Sequence, residues 1–214
     1  MVADLKANKG KSKPLPIEFY SRPAALVAPD LLGCALIKRR KNGTHLKGII
    51  VETEAYSQEE AACHGNKVRT PRNETLFGMP GHLYIYITYG IYHCVNIVTD
   101  KSDWASGVLL RALVLPNENE RIAAGPGLLA KRFKLDLNND SLAISVENGL
   151  WISSRDLGKD IGSVMQTTRV GISHAKELPW RWYIRKSRSI SKRAKGDRSP
   201  KPNEAWSPFS NESP

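Results

Sequence analysis

Leu83-Tyr84-Ile85-Tyr86-Ile87-Thr88-Tyr89-Gly90-Ile91-Tyr92-His93-Cys94-Val95-Asn96-Ile97 is the stretch from which the fold is read. Leu83, Ile85 and Ile87 alternate with Tyr84, Tyr86 and Thr88, and successive side chains of a strand point to opposite faces. Beyond Tyr89-Gly90 the alternation resumes, with Ile91, His93, Val95 and Ile97 on one face and Tyr92, Cys94 and Asn96 on the other. This predicts a β-hairpin with Tyr89 near its tip. Tyrosines on the arms of a hairpin pack there as aromatics usually do in sheets. A tyrosine at a tight tip has little to pack on, so Tyr89 reads as an exposed probe.

Working outward, residues 107–115 form a further apolar strand whose single charge, Arg111, lies in its middle. Upstream, 34–40 and 46–54 read as strands joined by Asn42-Gly43, a dipeptide favoured in type I′ turns. Before them Pro23 suits the first turn of a helix whose buried face would hold Ala25, Leu26 and Leu32, broken or kinked by Pro29. Residues 64–80 are rich in Gly, Asn, Pro and Thr and read as a long loop, which in a compact domain is functional or disordered. Downstream, 117–124 and 128–135 read as short helices around Gly125-Pro126-Gly127, Glu147-Asn148-Gly149 as a turn, and 150–153, 168–172 and 182–184 as strands. No internal repeat is present. The expected fold is α+β, a single mixed domain dominated by a curved antiparallel β-sheet with short helices and a protruding hairpin.

The chain has 214 residues, 41% hydrophobic and 25% charged, which suits one globular domain and excludes wholesale disorder, collagen repeats and a coiled coil. Residues 75–99 carry no Asp, Glu, Lys or Arg, but Gly78, Pro80, Gly81, His82, Gly90, His93 and Asn96 interrupt them, so they are not read as a membrane span. Three cysteines and an opening without a secretory leader pattern imply a cytosolic protein with reduced thiols. The net charge of +11 sits largely at the ends, with +3 on residues 1–14 and +7 on residues 185–201. Residues 1–14 therefore read as a flexible basic arm, and 192–214 as a flexible tail, basic and then acidic. Such ends attract phosphate in a salt-dependent way, or they serve solubility alone.

Val51-Glu52-Thr53-Glu54-Ala55-Tyr56 places Glu52, Glu54 and Tyr56 on one face of a strand end. A carboxylate beside aromatic rings is placed as a general base is, although a surface glutamate at a sheet edge is the commoner case. Arg111, if buried, needs a partner, and a glutamate on a neighbouring strand would serve. Cys63-His64 and His93-Cys94 are pairs of metal-ligand types, but adjacent residues of a strand diverge and no zinc spacing appears, so no metal and no cofactor are expected. Walker A, Gly-x-Gly-x-x-Gly and Gly-x-Ser-x-Gly motifs are absent.

The sequence resembles the alkyladenine (3-methyladenine) DNA glycosylase family, of the bacterial and animal type that is not helix-hairpin-helix. The likeness is carried by the strand end at 51–56, by Thr70-Pro71-Arg72-Asn73, by the hairpin at 83–97, by Val108-Leu109-Leu110-Arg111-Ala112, by Arg169-Val170-Gly171-Ile172 and by Pro179-Trp180-Arg181-Trp182-Tyr183. It runs from Phe19 to Ser191, within a glycosylase domain expected over 15–191. The resemblance implies that Glu54 is the base that activates water, and that Arg111 helps to hold that water. Tyr56, His64 and Tyr86 would wall the pocket of a flipped purine, Asn96 on its floor would discriminate against guanine's amine, and Tyr89 would enter the minor groove to fill the vacated stack. One departure is Leu128, where the family usually places a lysine after Gly125-Pro126-Gly127.

The implied function is a monofunctional hydrolase of N-glycosyl bonds that starts base excision repair at alkylated or deaminated purines. No lysine occurs in the matched catalytic motifs, so strand cleavage is not expected. The implied partner is double-stranded DNA with a damaged purine, and the protein is expected to be a monomer, cytoplasmic and nucleoid-associated in a bacterium or nuclear in a eukaryote. The competing reading is a non-catalytic nucleic-acid-binding module. A poised carboxylate separates the two, because near phosphates it weakens binding unless it does chemistry.

Overall fold

A computed structural model of the chain describes residues 13–155 and 160–209. In chain order the elements are α1 (Ile17–Tyr20), α2 (Ala24–Asp30), β1 (Ala35–Arg39), β2 (His45–Ser57), β3 (Leu83–Thr88), β4 (Tyr92–Val98), β5 (Ser106–Val114), α3 (Pro126–Phe133), β6 (Leu150–Ser153), β7 (Val164–Thr167) and β8 (Arg181–Ile184). The strands form one eight-stranded antiparallel sheet in the order β3-β4-β5-β2-β1-β6, with β8 joined to β2 and β7 to β8. The α+β expectation is met.

Strand β2 organises the site. Its 13 residues pair with β5 along one edge, and β1 and β8 share the other edge end to end. Leu46 and then the run from Gly48 to Ala55 are buried, as befits a strand covered on both faces. Helix α2 covers part of it with Ala24, Val27 and Ala28. Helix α3 packs Leu129, Ala130 and Phe133 over β4 and β5. The carbonyls of Phe133 and Lys134 at its end accept hydrogen bonds from the Lys38 ammonium, which relieves otherwise unpaired helix-end groups. A second, smaller core of Cys63, Leu76, Phe77, Tyr84, Val98 and Ala105 backs Tyr56 and Tyr86.

The hairpin is built as its alternation requires. Tyr84 lies opposite Asn96 and Tyr86 opposite Cys94. The turn has Tyr89 at φ +51° and Gly90 at φ +72°, closed by the Ile91 N–H on the Thr88 carbonyl, which is the primed geometry that matches strand twist. The loop at 64–80 is ordered by Asn73, whose side-chain amide donates to the carbonyls of His64 and Val68 and accepts from the Thr70 N–H. A short 3-10 turn, Glu74–Phe77, follows it.

Several expectations fail for identifiable reasons. Asn42-Gly43 is not a type I′ turn, because only Gly43 has a positive φ, +82°, whereas that turn needs two such residues. Leu26 is exposed; the buried stripe of α2 is Ala24, Val27 and Ala28. Residues 117–124 are not helical, since Asn119 folds its side chain onto the Arg121 N–H and Ala123 and Ala124 pair back onto β5. The strand expected at 168–172 lies instead at Val164–Thr167.

The expected N-terminal arm falls mostly outside the described residues. At its end the Lys13 carbonyl accepts from the Ser154 N–H and Pro14 bridges to Ser153. The C-terminal stretch expected to be a flexible tail carries many contacts with the domain, among them Arg193 with Asp197 and Trp206 with Lys186. Cys34, Cys63 and Cys94 are free and buried. Among the described residues no helix is long and apolar enough to cross a membrane.

Candidate active site

The charged residues of β2, β5 and β8 meet in the middle of the sheet. Pairing between β2 and β5 slips on either side of Glu52, which leaves Val51 and Arg111 out of register. Bulges of this kind re-aim side chains. Here Arg111 reaches both carboxylates of β2, with NH1 3.1 Å from Glu54 Oε2 and Nε 3.3 Å from Glu52 Oε1. Arg181 of β8 adds a second guanidinium, 2.8 Å from Glu52 Oε1. Glu52 and Glu54 are fully buried, and Arg111 and Arg181 are nearly so. Two carboxylates and two guanidiniums thus form a neutral cluster, the condition under which buried charge is tolerated. Burial works against the charge of Arg111, but the Glu54 and Glu52 carboxylates outweigh it and raise its pKa.

Glu54 is the member that joins the cluster to Tyr56. Its Oε1 accepts from the Val170 N–H at 2.7 Å, and its Oε2 accepts from the Tyr56 hydroxyl at 2.8 Å as well as from Arg111. A carboxylate offers about four acceptor sites. Among the described residues three donors fill three of them, and one is left. Val170 is available because the chain leaves the sheet after Thr167 and turns at Gly171, φ +78°. Its neighbour Arg169 pins that turn through two bonds to the Glu60 carboxylate, at 2.7 and 2.8 Å, and lies 4.6 Å over the Tyr56 ring. Burial, and then the Glu54 charge, push the Tyr56 phenol well up, so it remains a donor to Glu54.

Tyr56 is also a wall of an aromatic cleft shared with His64 and Tyr86, with Leu76, Asn96 and Gly107 at its base. His64 shares a 2.9 Å hydrogen bond through Nδ1 with the Tyr84 hydroxyl, and its ring centroid is 4.5 Å from that of Tyr86. Burial, with a smaller contribution from the Arg72 charge, lowers the His64 pKa, which leaves the ring neutral at pH 7. Burial likewise keeps Tyr86 protonated. Asn96 is held from behind by its amide on the Tyr84 carbonyl at 3.1 Å. A Cβ on Gly107 would come within 3.0 Å of Leu76 and 3.2 Å of the Ile97 carbonyl, so the floor is tight. The space between the rings, about 20 Å³, admits one water.

Six of the seven residues singled out from the sequence therefore converge, with Tyr56 lining the cleft beside His64, Tyr86 and Asn96 and its hydroxyl on Glu54, which Arg111 holds in turn. Tyr89 stands apart at the hairpin tip, 82% exposed, about three strand residues or 10 Å beyond Tyr86. Ile91 and Tyr92 are exposed beside it. Tyr92 packs on Gly127 at the start of α3, and the groove between them also holds Leu128, Lys131 and Lys134. Arg132 is tied to Glu118 in a two-pronged pair. That leaves Lys131, one turn from Leu128 on the same helix, and Lys134 as cations lining the groove.

Sequence reasoning missed six participants, Glu52, Glu60, Arg169, Val170, Arg181 and Ser191. Glu52 was read as a carboxylate but not as the centre of the cluster, Arg169, Val170 and Arg181 only as parts of matching motifs, and Glu60 and Ser191 were given no role. Arg169 and Arg181 had a signal, since each is a cation within an apolar or aromatic stretch. Val170 acts through its backbone and leaves no side-chain signal. Among the described residues no group of three or more His, Cys, Asp or Glu is placed to hold a metal ion.

The model of the methylpurine-DNA glycosylase family matches residues 18–188 of this chain. A protein of Synechococcus sp. strain JA-3-3Ab, named as a candidate 3-methyladenine DNA glycosylase, is 41% identical over 189 residues, covering 81% of this chain and 97% of its own. Similarly named proteins of Synechococcus elongatus and Carboxydothermus hydrogenoformans are 42% and 38% identical, covering 82% and 84% of this chain and 89% and 99% of theirs.

Proposed function

The chain belongs to the methylpurine-DNA glycosylase family, and from that premise we propose that it releases alkylated purines, 3-methyladenine first among them, from duplex DNA by water attack directed by Glu54. The observation that carries the reading is the state of Glu54. A fully buried carboxylate with one acceptor site unfilled, beside an aromatic cleft, is what holding a single water requires.

In the reaction that water gives a proton to Glu54 and bonds to C1′ of the sugar. The C1′–N bond breaks and its electron pair goes to the base. An alkylated purine already carries positive charge and leaves as a neutral molecule, so no second acid is needed. Arg111 and the Val170 N–H fix the carboxylate. Neutral His64 and the two phenols present no cation to the departing ring, and aromatic faces attract positive rings. The bound purine needs about 7 Å between stacked faces, two contacts of about 3.5 Å. The cleft, with about 20 Å³ of space, therefore widens as the base enters. Asn96, unable to swing away from Tyr84, meets an exocyclic amine at the base's edge and disfavours guanine. Deaminated purines fit the same cleft but leave without the help of a ring charge, and are released more slowly.

Purified protein is expected to release 3-methyladenine from duplex DNA and leave an unbroken abasic strand that breaks only after alkali, since among the described residues no lysine lines the cleft. Failure to release any base, or direct scission, defeats the reading.

Tyr89, with Ile91 and Tyr92 beside it, occupies the gap left in the stack. Tyr89→Ala is expected to weaken binding to lesion duplex about tenfold or more, the worth of one stacked aromatic, with a smaller effect on a lesion in single strand. Equal loss on both substrates, or none, removes Tyr89 from that role.

A further inference from the structure

We infer that Ser191 is a positioning residue for Arg111, and that the C-terminal segment after it is a strap that keeps it there. This rests on the glycosylase reading and goes beyond it, since Ser191 is not among the site residues that the resemblance implies.

Ser191 is inserted between the members of the charged cluster. Its hydroxyl oxygen accepts from Arg111 NH2 at 3.0 Å and from Nε at 3.3 Å, and its proton is donated to Glu52 Oε1 at 2.9 Å. Its backbone N–H donates to Glu52 Oε2 at 2.7 Å. One residue thus touches both ends of the Glu52–Arg111 pair and fixes the rotation of the guanidinium whose NH1 meets Glu54. Such hydrogen bonds to charged groups are the strong ones.

The flanking backbone is held on both sides. Arg121 NH1 grips the Ile190 carbonyl at 2.8 Å, and Arg181 NH1 grips the Lys192 carbonyl at 2.5 Å. Beyond it, Asp197 is nearly buried and accepts from Tyr183, Arg185 and Arg193 at 2.7, 3.0 and 2.7 Å. Arg193 also donates to the carbonyls of Arg185 and Ser187. Arg188 is paired with Glu120 and reaches the Pro200 carbonyl, and the Trp206 N–H donates to Lys186. Three cations of the basic stretch, Arg185, Arg188 and Arg193, are therefore spent on carboxylates of this chain. They serve attachment of the strap.

The test compares two isosteric variants of the full chain, Ser191→Thr and Ser191→Val, in single-turnover release of 3-methyladenine from duplex DNA, with affinity and melting temperature measured alongside. The hydroxyl is the only polar difference between them. Thr is expected to stay near the wild-type rate and Val to fall about tenfold, the worth of a hydrogen bond to a charged group, at unchanged affinity. Equal rates for the two overturn the assignment of Ser191. A second variant, Asp197→Asn, lies outside the cluster and removes a negative charge. The strap predicts a slower chemical step in it, whereas a phosphate-binding tail predicts an unchanged rate with equal or tighter binding, and that result overturns the strap. If wild type releases no base, the glycosylase reading has failed and this inference falls with it; a cutting wild type with indistinguishable Thr and Val variants defeats the inference alone.

Discussion

Glu54→Gln is expected to reduce base release at least about a hundredfold, at the low end of what general base catalysis contributes, while binding to lesion duplex is kept or tightened. Glutamine preserves the shape of the side chain but replaces one acceptor oxygen by a donor. If its oxygen faces Arg111 and Tyr56, its amide meets the Val170 N–H, donor against donor, and a buried hydrogen bond is lost. The cluster also passes from neutral to one excess positive charge, because Arg111 and Arg181 then share Glu52 alone. The melting temperature is therefore expected to fall as well, and the assay must be made where the variant is folded. Tighter binding follows from removing a carboxylate that would otherwise lie close to the DNA phosphates. Turnover by folded Glu54→Gln within tenfold of wild type at neutral pH means that another group takes the proton.

How much of this was legible in the sequence depends on whether a feature is local. Alternation placed the hairpin, and a short apolar run placed β5, whose residues are buried on both faces. The aromatic cleft came from the resemblance alone, although the hairpin does set Tyr86 and Asn96 on the same side of paired strands. The slip at Glu52 was not legible. It arises from pairing with β5, and it alone turns Arg111 toward two carboxylates at once. The misplaced strand at 168–172 fails for a related reason. Its apolar, β-branched residues read as strand, but the chain departs from the ladder so that the Val170 N–H serves Glu54 instead. Local preference yields there to the needs of the site. Composition misjudged the basic stretch 185–201 because it counts charges without their partners, and Asp197 and Glu120 hold three of its arginines, Arg185, Arg188 and Arg193.

Glu52→Ala is expected to be the most destabilising single substitution in the cluster, although Glu52 touches no water or base in the proposed reaction. The residue is fully buried and accepts from Arg111, from Arg181 and twice from Ser191. Its removal strands a guanidinium with one carboxylate for two cations. Breaking a buried pair on one side costs about 3–5 kcal/mol, against a total stability of about 5–15 kcal/mol for a domain. For a chain of this size each kcal/mol is worth about 2–4 °C, so the melting temperature should drop by about 6–20 °C. The cause is the uncompensated charge rather than the lost volume, and a second substitution separates the two. Arg181→Met on top of Glu52→Ala restores neutrality, leaving Arg111 paired with Glu54, and is expected to recover part of the loss, so that the double variant is more stable than the sum of the singles allows. Strict additivity, or a Glu52→Ala protein that melts with wild type, would mean that the cluster is held by packing and that its charges do not cooperate.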